Sequence, residues 1–365
     1  MAHPTVRRRR LLGMLAAAGV LPAGAMALPP AAPFAAADPA YRMRFPHDHG
    51  SHPDFRIEWW YITGWLRTRD REDCGFQVTF FRVRPPSQVA NPSRFNPEHI
   101  IIAHAAVSDR RLGKLRHVQR AARQGFGLAG SDTGNTRVWI DRWQLLRDGP
   151  LYRCWIGNRD LALDLVLETR QTPLLQGTDG YSRKGPEAGS ASHYYSLPQL
   201  RASGRIRIDK TAREVEGEAW LDHEWSSSLL EPDAEGWDWI GINLADGGAL
   251  MAFRMRNRRG GTLWAGGSWR DASGSVTGFR PDQIRFTPLR RWRSPLTGAE
   301  YPVSFEVLAG PLRLRLEPLM DDQENDTRAT TGAVYWEGAV RALGDKREIG
   351  RGYLELTGYL RPLQI

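Results

Sequence analysis

The segment EVEGEAWLDHEWSSS, residues 214–228, concentrates groups able to move protons. On a β-strand successive side chains alternate between faces. Glu214, Glu216, Glu218, Trp220, Asp222 and Glu224 therefore share one face, and Val215, Gly217, Ala219, Leu221, His223 and Trp225 share the other. Three glutamates mark the first face as solvated, so the second is expected to point inward. That places His223 beside Trp225 in apolar surroundings, where an imidazole can handle protons. The competing account is a core histidine bonded to a backbone carbonyl. Asp222 faces away from His223 unless a bulge re-aims it.

A second acid stands in Glu58-Trp59-Trp60-Tyr61. Alternation puts Glu58 with Trp60 and Ile62, and Trp59 with Tyr61 and Trp65. A carboxylate beside a buried indole is costly unless paired or protonated. It becomes either an acid of raised pKa or one half of an arginine pair. His193-Tyr194-Tyr195-Ser196 offers another imidazole and two phenols. In Trp237-Asp238-Trp239 an acid is flanked by indoles that take the opposite face. Upstream, His47, Asp48, His49, His52 and Asp54 include an H-x-H spacing that can seat a metal. Gly50, Ser51 and Pro53 punctuate that run as a turn, and a fourth ligand is not evident. A polar rim or seam is expected there, with no metal and no cofactor. The sequence lacks G-x-S-x-G, a P-loop and a G-x-G-x-x-G fingerprint, so it offers no nucleotide site or nucleophile elbow.

The elements that must position these groups read as β throughout. Short runs rich in Val, Ile, Thr and aromatics are separated by Gly, Asp, Asn or Pro. Examples are 57–66, 75–83, 99–107, 136–146 and 161–169, then 237–244, 249–256, 312–319, 335–342 and 352–360. Asp246-Gly247-Gly248 reads as a hairpin turn. The irregular stretch 171–192 suits a linker, a lid or a binding loop. So many strands must hide their edges, in two sandwiches or two closed barrels. The division is expected near Leu229–Asp233, giving an N-terminal unit of 38–228 and a C-terminal unit of 229–365.

The chain has 365 residues with 50 Lys+Arg against 41 Asp+Glu, a net charge of +9. Arg7–Arg10 supply four of those positives, and no acid precedes Asp38. The remaining excess is scattered, which argues against a nucleic-acid binder. Residues 1–37 read as an export signal of twin-arginine type: a basic start, a short apolar run and small-residue cleavage sites. The expected destination is periplasmic or secreted, with no transmembrane segment in the mature chain. Cys74 and Cys154 are the only cysteines, and the sequence leaves open whether they are bridged.

Six segments in order carry a family resemblance: FPHDHGSHPDFRIEWWYITGWL, HYYSLPQLRASGRI, GEAWLDHEWSSS, WDWIGINLADGGALMAFRMR, YWEGAV and GYLELTGYL. Together they resemble the carotenoid 1,2-hydratase/AttH-like family, whose members are often labelled secreted hydrolases. The resemblance implies an all-β fold of two lipocalin-like antiparallel β-barrel domains packed side by side. It also implies cofactor-free addition of water to an isoprenoid or similar apolar substrate. Such chemistry needs a proton donor and aromatic faces that stabilise a carbocation. The expected catalytic set is His223, Asp222, Glu58 and Asp238. Substrate contacts are expected from Trp59, Trp60, Tyr61, His193, Tyr195, Trp225, Trp237 and Trp239. The alternative is a non-catalytic periplasmic lipid carrier, serving an ABC-type transporter in the membrane.

Overall fold

A computed structural model of the chain describes residues 34–85, 96–345 and 347–363. Most of the expected export signal lies outside the described residues. Among them there is no α-helix, and no helix is long and apolar enough to cross a membrane.

The first sheet is built from β1 (Ile57–Thr68), β2 (Asp73–Val83), β3 (Ile100–Asp109), β4 (Lys114–Arg123), β5 (Ala129–Ser131), β6 (Arg137–Ile140) and β7 (Trp143–Asp148). It continues with β8 (Leu151–Gly157), β9 (Leu161–Glu168), β10 (Leu174–Leu175), β11 (Tyr181–Arg183), β12 (Ala191–Ile208) and β13 (Thr211–Ser228). The second comprises β14 (Ala234–Leu244), β15 (Ala249–Asn257), β16 (Thr262–Arg270), β17 (Val276–Phe279) and β18 (Ile284–Arg293). Its remaining strands are β19 (Glu300–Ala309), β20 (Leu312–Pro318), β21 (Glu324–Asp326), β22 (Val334–Gly344) and β23 (Arg347–Leu356).

All pairings are antiparallel, and each first strand is clamped between its successor and the last strand of its own sheet. Thus β1 lies between β2 and β13, and β14 between β15 and β23. The first sheet curls until β3 and β4 meet β5 and β6, and the second until β15 and β16 meet β18. Near-closure removes the exposed edges that open sheets must otherwise protect. The result is the expected all-β architecture of two lipocalin-like barrels.

Several local expectations are refined. The run 136–146 divides into β6 and β7 because Asp141, at φ 54°, turns the chain between them. The stretch 171–192 contributes β10 and β11, which pair on β12. Gly247, at φ 89°, makes the expected turn between β14 and β15, where positive φ favours glycine. Cys74 and Cys154 are buried and unbridged.

Each barrel has its own apolar core, the first including Trp60, Phe76, Leu163 and Leu221, the second Ile240, Phe305, Val340 and Leu354. A third core lies between them, made by Tyr61, Trp65, Tyr194 and Trp220 against Trp239, Met251, Phe253 and Tyr353. Gly75 of β2 is one place where the barrels approach closely. A Cβ added there would sit 2.5 Å from Ala339 Cβ and 2.6 Å from Tyr353 Oη. Nearby, the Trp65 indole donates to the Gly352 carbonyl at 2.9 Å.

Candidate active site

Alternation along β1, β13 and β14 sorts the candidate residues into three places. The inner face of β1 and β13 carries Glu58, Trp60, His223 and Trp225 into the first barrel. Glu58 is fully buried and accepts from Arg82 Nε at 2.9 Å, from His52 Nδ1 at 2.7 Å and from the His52 amide at 2.9 Å. His223 Nε2 lies 2.9 Å from the same carboxylate, and His223 Nδ1 lies 3.2 Å from Tyr195 Oη. This pattern assigns Nε2–H as donor to Glu58 and the Tyr195 hydroxyl as donor to Nδ1. Trp60 stacks on His223 at 4.7 Å, and Trp225 stacks on His52 at 3.6 Å.

Burial by itself would raise the Glu58 pKa. The Arg82 guanidinium, then His52 and the histidine hydrogen bonds, overcome it and hold Glu58 well below the usual carboxylate range. Burial lowers the His223 pKa, only partly offset by Glu58, so the imidazole is neutral. For His52 burial is outweighed by Glu58 and Asp48, which raise it. Glu58 is therefore an ionised hub and not the raised-pKa acid that an isolated carboxyl beside Trp60 would be. Its arginine sits directly opposite on β2, in register Glu58↔Arg82.

His52, Glu58 and His223 bring ligand atoms within 4.8 Å of one another. As a metal centre the set fits poorly, because its atoms already satisfy one another by hydrogen bonds beside a guanidinium that repels a second cation. His193 is buried beside the same cluster, its ring 5.5 Å from Trp225, and its Nε2 accepts from the Asp38 amide at 3.3 Å. Burial holds its pKa down to about 4.

Asp238 occupies the second place, inside the second barrel. Arg254 Nε donates to it at 2.7 Å, Arg256 Nε at 3.0 Å and the Tyr359 hydroxyl at 2.9 Å. Its neighbours Trp237 and Trp239 take the other face of β14, so Asp238 cannot share theirs. The register Asp238↔Arg254 repeats Glu58↔Arg82. Each barrel thus opens with an acid turned to its own interior and paired with an arginine on the following strand.

The third place is a cavity of about 320 Å³ between the barrels. Trp59, Tyr61, Phe81 and Ile102 wall it from the first barrel, and Trp237, Trp239, Phe253 and Met255 from the second. Asp222, Glu224, Tyr194 and Lys184 line the β12–β13 side, and Glu337 and Glu355 the β22–β23 side. The face expected to be solvated is wet at Glu216 and Glu218, but by Trp220 it has passed under the second barrel. His223, Trp60, Tyr195, Trp225, His193, Glu58 and Asp238 do not line this cavity.

Asp222 accepts from Tyr194 Oη at 2.7 Å, Ser196 Oγ at 2.5 Å and Trp220 Nε1 at 2.7 Å. Burial pushes its pKa up to about 7 against the lowering effect of those donors. The Trp239 indole donates to Tyr194 Oη at 3.1 Å, extending the chain across both barrels. Glu224, two residues on, accepts from Ser192 Oγ at 2.5 Å and pairs with Lys184 Nζ at 2.9 Å. The site thus combines a buried acid whose pKa lies near neutrality with aromatic walls, conditions under which a proton can be delivered to an apolar molecule. Lys184, Glu337 and Glu355 are not singled out by sequence, and Tyr194 and Glu224 are named there without a place in the expected site. Tyr194 and Glu337 do lie in the HYYS and YWEGAV motifs.

The AttH-like family model matches residues 36–359. A crystal structure of a Nitrosomonas europaea protein assigned to AttH is 51% identical, with a TM-score of 0.84, covering 90% of this chain and 100% of that one. Kievitone hydratase from Nectria haematococca is 12% identical, with a TM-score of 0.67 and coverage of 91% and 97%; that likeness concerns the fold. No curated protein matches in sequence. With two barrels built alike and a family model spanning nearly all of the described residues, the chain belongs to the AttH-like family.

Proposed function

We propose that this protein is an exported, cofactor-free hydratase-type enzyme that adds water to, or removes it from, an apolar isoprenoid or lipid in the interbarrel cavity. Asp222 is the proton donor. The observation that carries this reading is a fully buried carboxyl with a pKa near 7 facing an indole-walled cavity. In the hydration direction the Asp222 O–H bond breaks as a C–H bond forms at the alkene. The π electrons make that bond and leave a carbocation on the neighbouring carbon. Trp59, Trp237 and Trp239 stabilise the cation by roughly 0.5–2 kcal/mol each. Water adds to the cation, and its surplus proton returns to the Asp222 carboxylate, so alkene and water become alcohol and the acid is regenerated.

His223 acts at one remove. Its bond to Glu58 fixes the backbone of β13 on which Asp222 stands. The basic, small-residue leader in the sequence supports export.

Purified protein lacking residues 1–37 is incubated with extracted membrane lipids and isoprenoids, and the mixture is read by mass spectrometry. A product differing by one water, formed by the native protein and not by Asp222→Asn, is expected. Turnover should fall as pH rises through about 7, because the acid must be protonated. Lipid that co-purifies without any mass change identifies a carrier and overturns the enzymatic reading.

A further inference from the structure

At the β22–β23 side of the cavity, Glu337 and Glu355 are direct cross-strand partners. Such side chains stand about 4.5–5.5 Å apart at Cβ, and like charges there destabilise a sheet. Glu337 is 2% exposed, and neither of its carboxyl oxygens makes a well-formed hydrogen bond, although Tyr61 and Asn325 lie beside it. The Tyr61 hydroxyl, also buried and lining the cavity, lies close enough to the Glu337 carboxyl to act on it but makes no well-formed hydrogen bond. Behind the wall Asn325 gives its amide N–H to Tyr335 at 3.3 Å, while its carbonyl oxygen is unpaired. Glu355 accepts from the Trp237 indole at 2.9 Å. Buried polar groups left unpaired cost about 1–3 kcal/mol each, so native proteins retain few of them. Here several converge where a ligand would lie.

We propose that Glu337, Glu355 and Tyr61 form a second polar subsite, which binds a hydroxyl group carried by the apolar substrate. It rests on the reading of the interbarrel cavity as the substrate site and narrows the substrate to an apolar alcohol or phenol. A neutral carboxyl offers one donor and a carbonyl acceptor. Burial and the neighbouring Glu355 push the Glu337 pKa well above the usual range, and Glu355 rises to about 7 through burial. The pair therefore meets a hydroxyl on both its sides without a full negative charge. The Tyr61 ring lies 5.4 Å from Trp239, whose indole reaches Tyr194 beside Asp222. A single molecule can thus span Trp239, with its hydroxyl at Glu337 and its reacting carbon near Asp222.

The probes are farnesol and farnesyl methyl ether, similar in shape but differing in the hydroxyl hydrogen. Binding is followed by quenching of tryptophan fluorescence. The native protein is expected to prefer farnesol on the order of tenfold, the equivalent of one hydrogen bond to a buried group. Glu337→Leu should bind both within twofold while melting no lower than the native protein. Glu337→Gln keeps an acceptor and should keep most of the preference. Equal binding by the native protein overturns the subsite but leaves the cavity reading intact. Failure of both probes to bind overturns the cavity reading and the subsite with it. If Asp222→Asn abolishes the preference while Glu337→Leu keeps it, the hydroxyl sits at the other end and the proposal falls. Farnesylamine bound more than tenfold tighter than farnesol would mean an ionised pair that reads charge, which also refutes it.

Discussion

Replacing Asp222 by Asn tests whether this carboxyl is held neutral by burial, independently of any substrate. Its pKa rises from 3.8 to about 7 in the folded chain. At about 1.4 kcal/mol per pH unit, that difference is worth about 4 kcal/mol. Between the two values the native state binds more protons than the unfolded state. The associated stability is fully present below about pH 4 and is lost as pH rises through about 7. Asparagine does not titrate, so the stability difference between the two proteins isolates this one group. The amide also carries a pH-independent cost. Its NH₂ replaces an oxygen that accepts from Tyr194, Ser196 or Trp220, and one orphaned donor costs about 1–3 kcal/mol. The variant should therefore be less stable than the native protein at pH 4 and should overtake it before pH 8, the difference changing by about 4 kcal/mol in total. Urea unfolding followed by tryptophan fluorescence across that range measures it. A difference that stays constant within about 1 kcal/mol would show that Asp222 titrates as an ordinary carboxyl, and the proton-donor argument would fail.

His223→Ala should lower stability by about 1.5–3 kcal/mol in thermal or urea unfolding, because it removes one hydrogen bond to the ionised Glu58, which keeps Arg82 and His52. Asp238→Asn should likewise destabilise by several kcal/mol, stranding the Arg254 and Arg256 guanidiniums, while farnesol affinity stays within twofold. Gly75→Val should weaken that affinity more than tenfold although residue 75 does not line the cavity, since its side chain would collide with Ala339 and Tyr353 and shift one barrel against the other.

Alternation made the faces of β1, β13 and β14 legible, down to Asp222 and His223 pointing opposite ways. What could not be read was which face meets solvent and which meets a second domain. Glu214, Glu216 and Glu218 advertise water, yet β13 runs for 18 residues and its outer face changes surroundings at Trp220. The inward face was then credited with the ligand, when its imidazole was already committed to Glu58. The partners that neutralise Glu58 and Asp238 were hidden for a related reason. Arg82 and Arg254 lie 24 and 16 residues downstream, and only strand register reveals them opposite the acids. Glu337 was hidden in another way, since a lone glutamate in YWEGAV resembles any surface acid until β23 places Glu355 across from it.

The chamber lies between the barrels, and Gly75, which does not line it, abuts Ala339 and Tyr353, two positions along their strands from the lining residues Glu337 and Glu355. Relatives can thus acquire roomier or tighter chambers by exchanging small residues at that abutment, with the acids and indoles unchanged. Divergence in what such proteins accept should then be sought in the joint as much as in the lining.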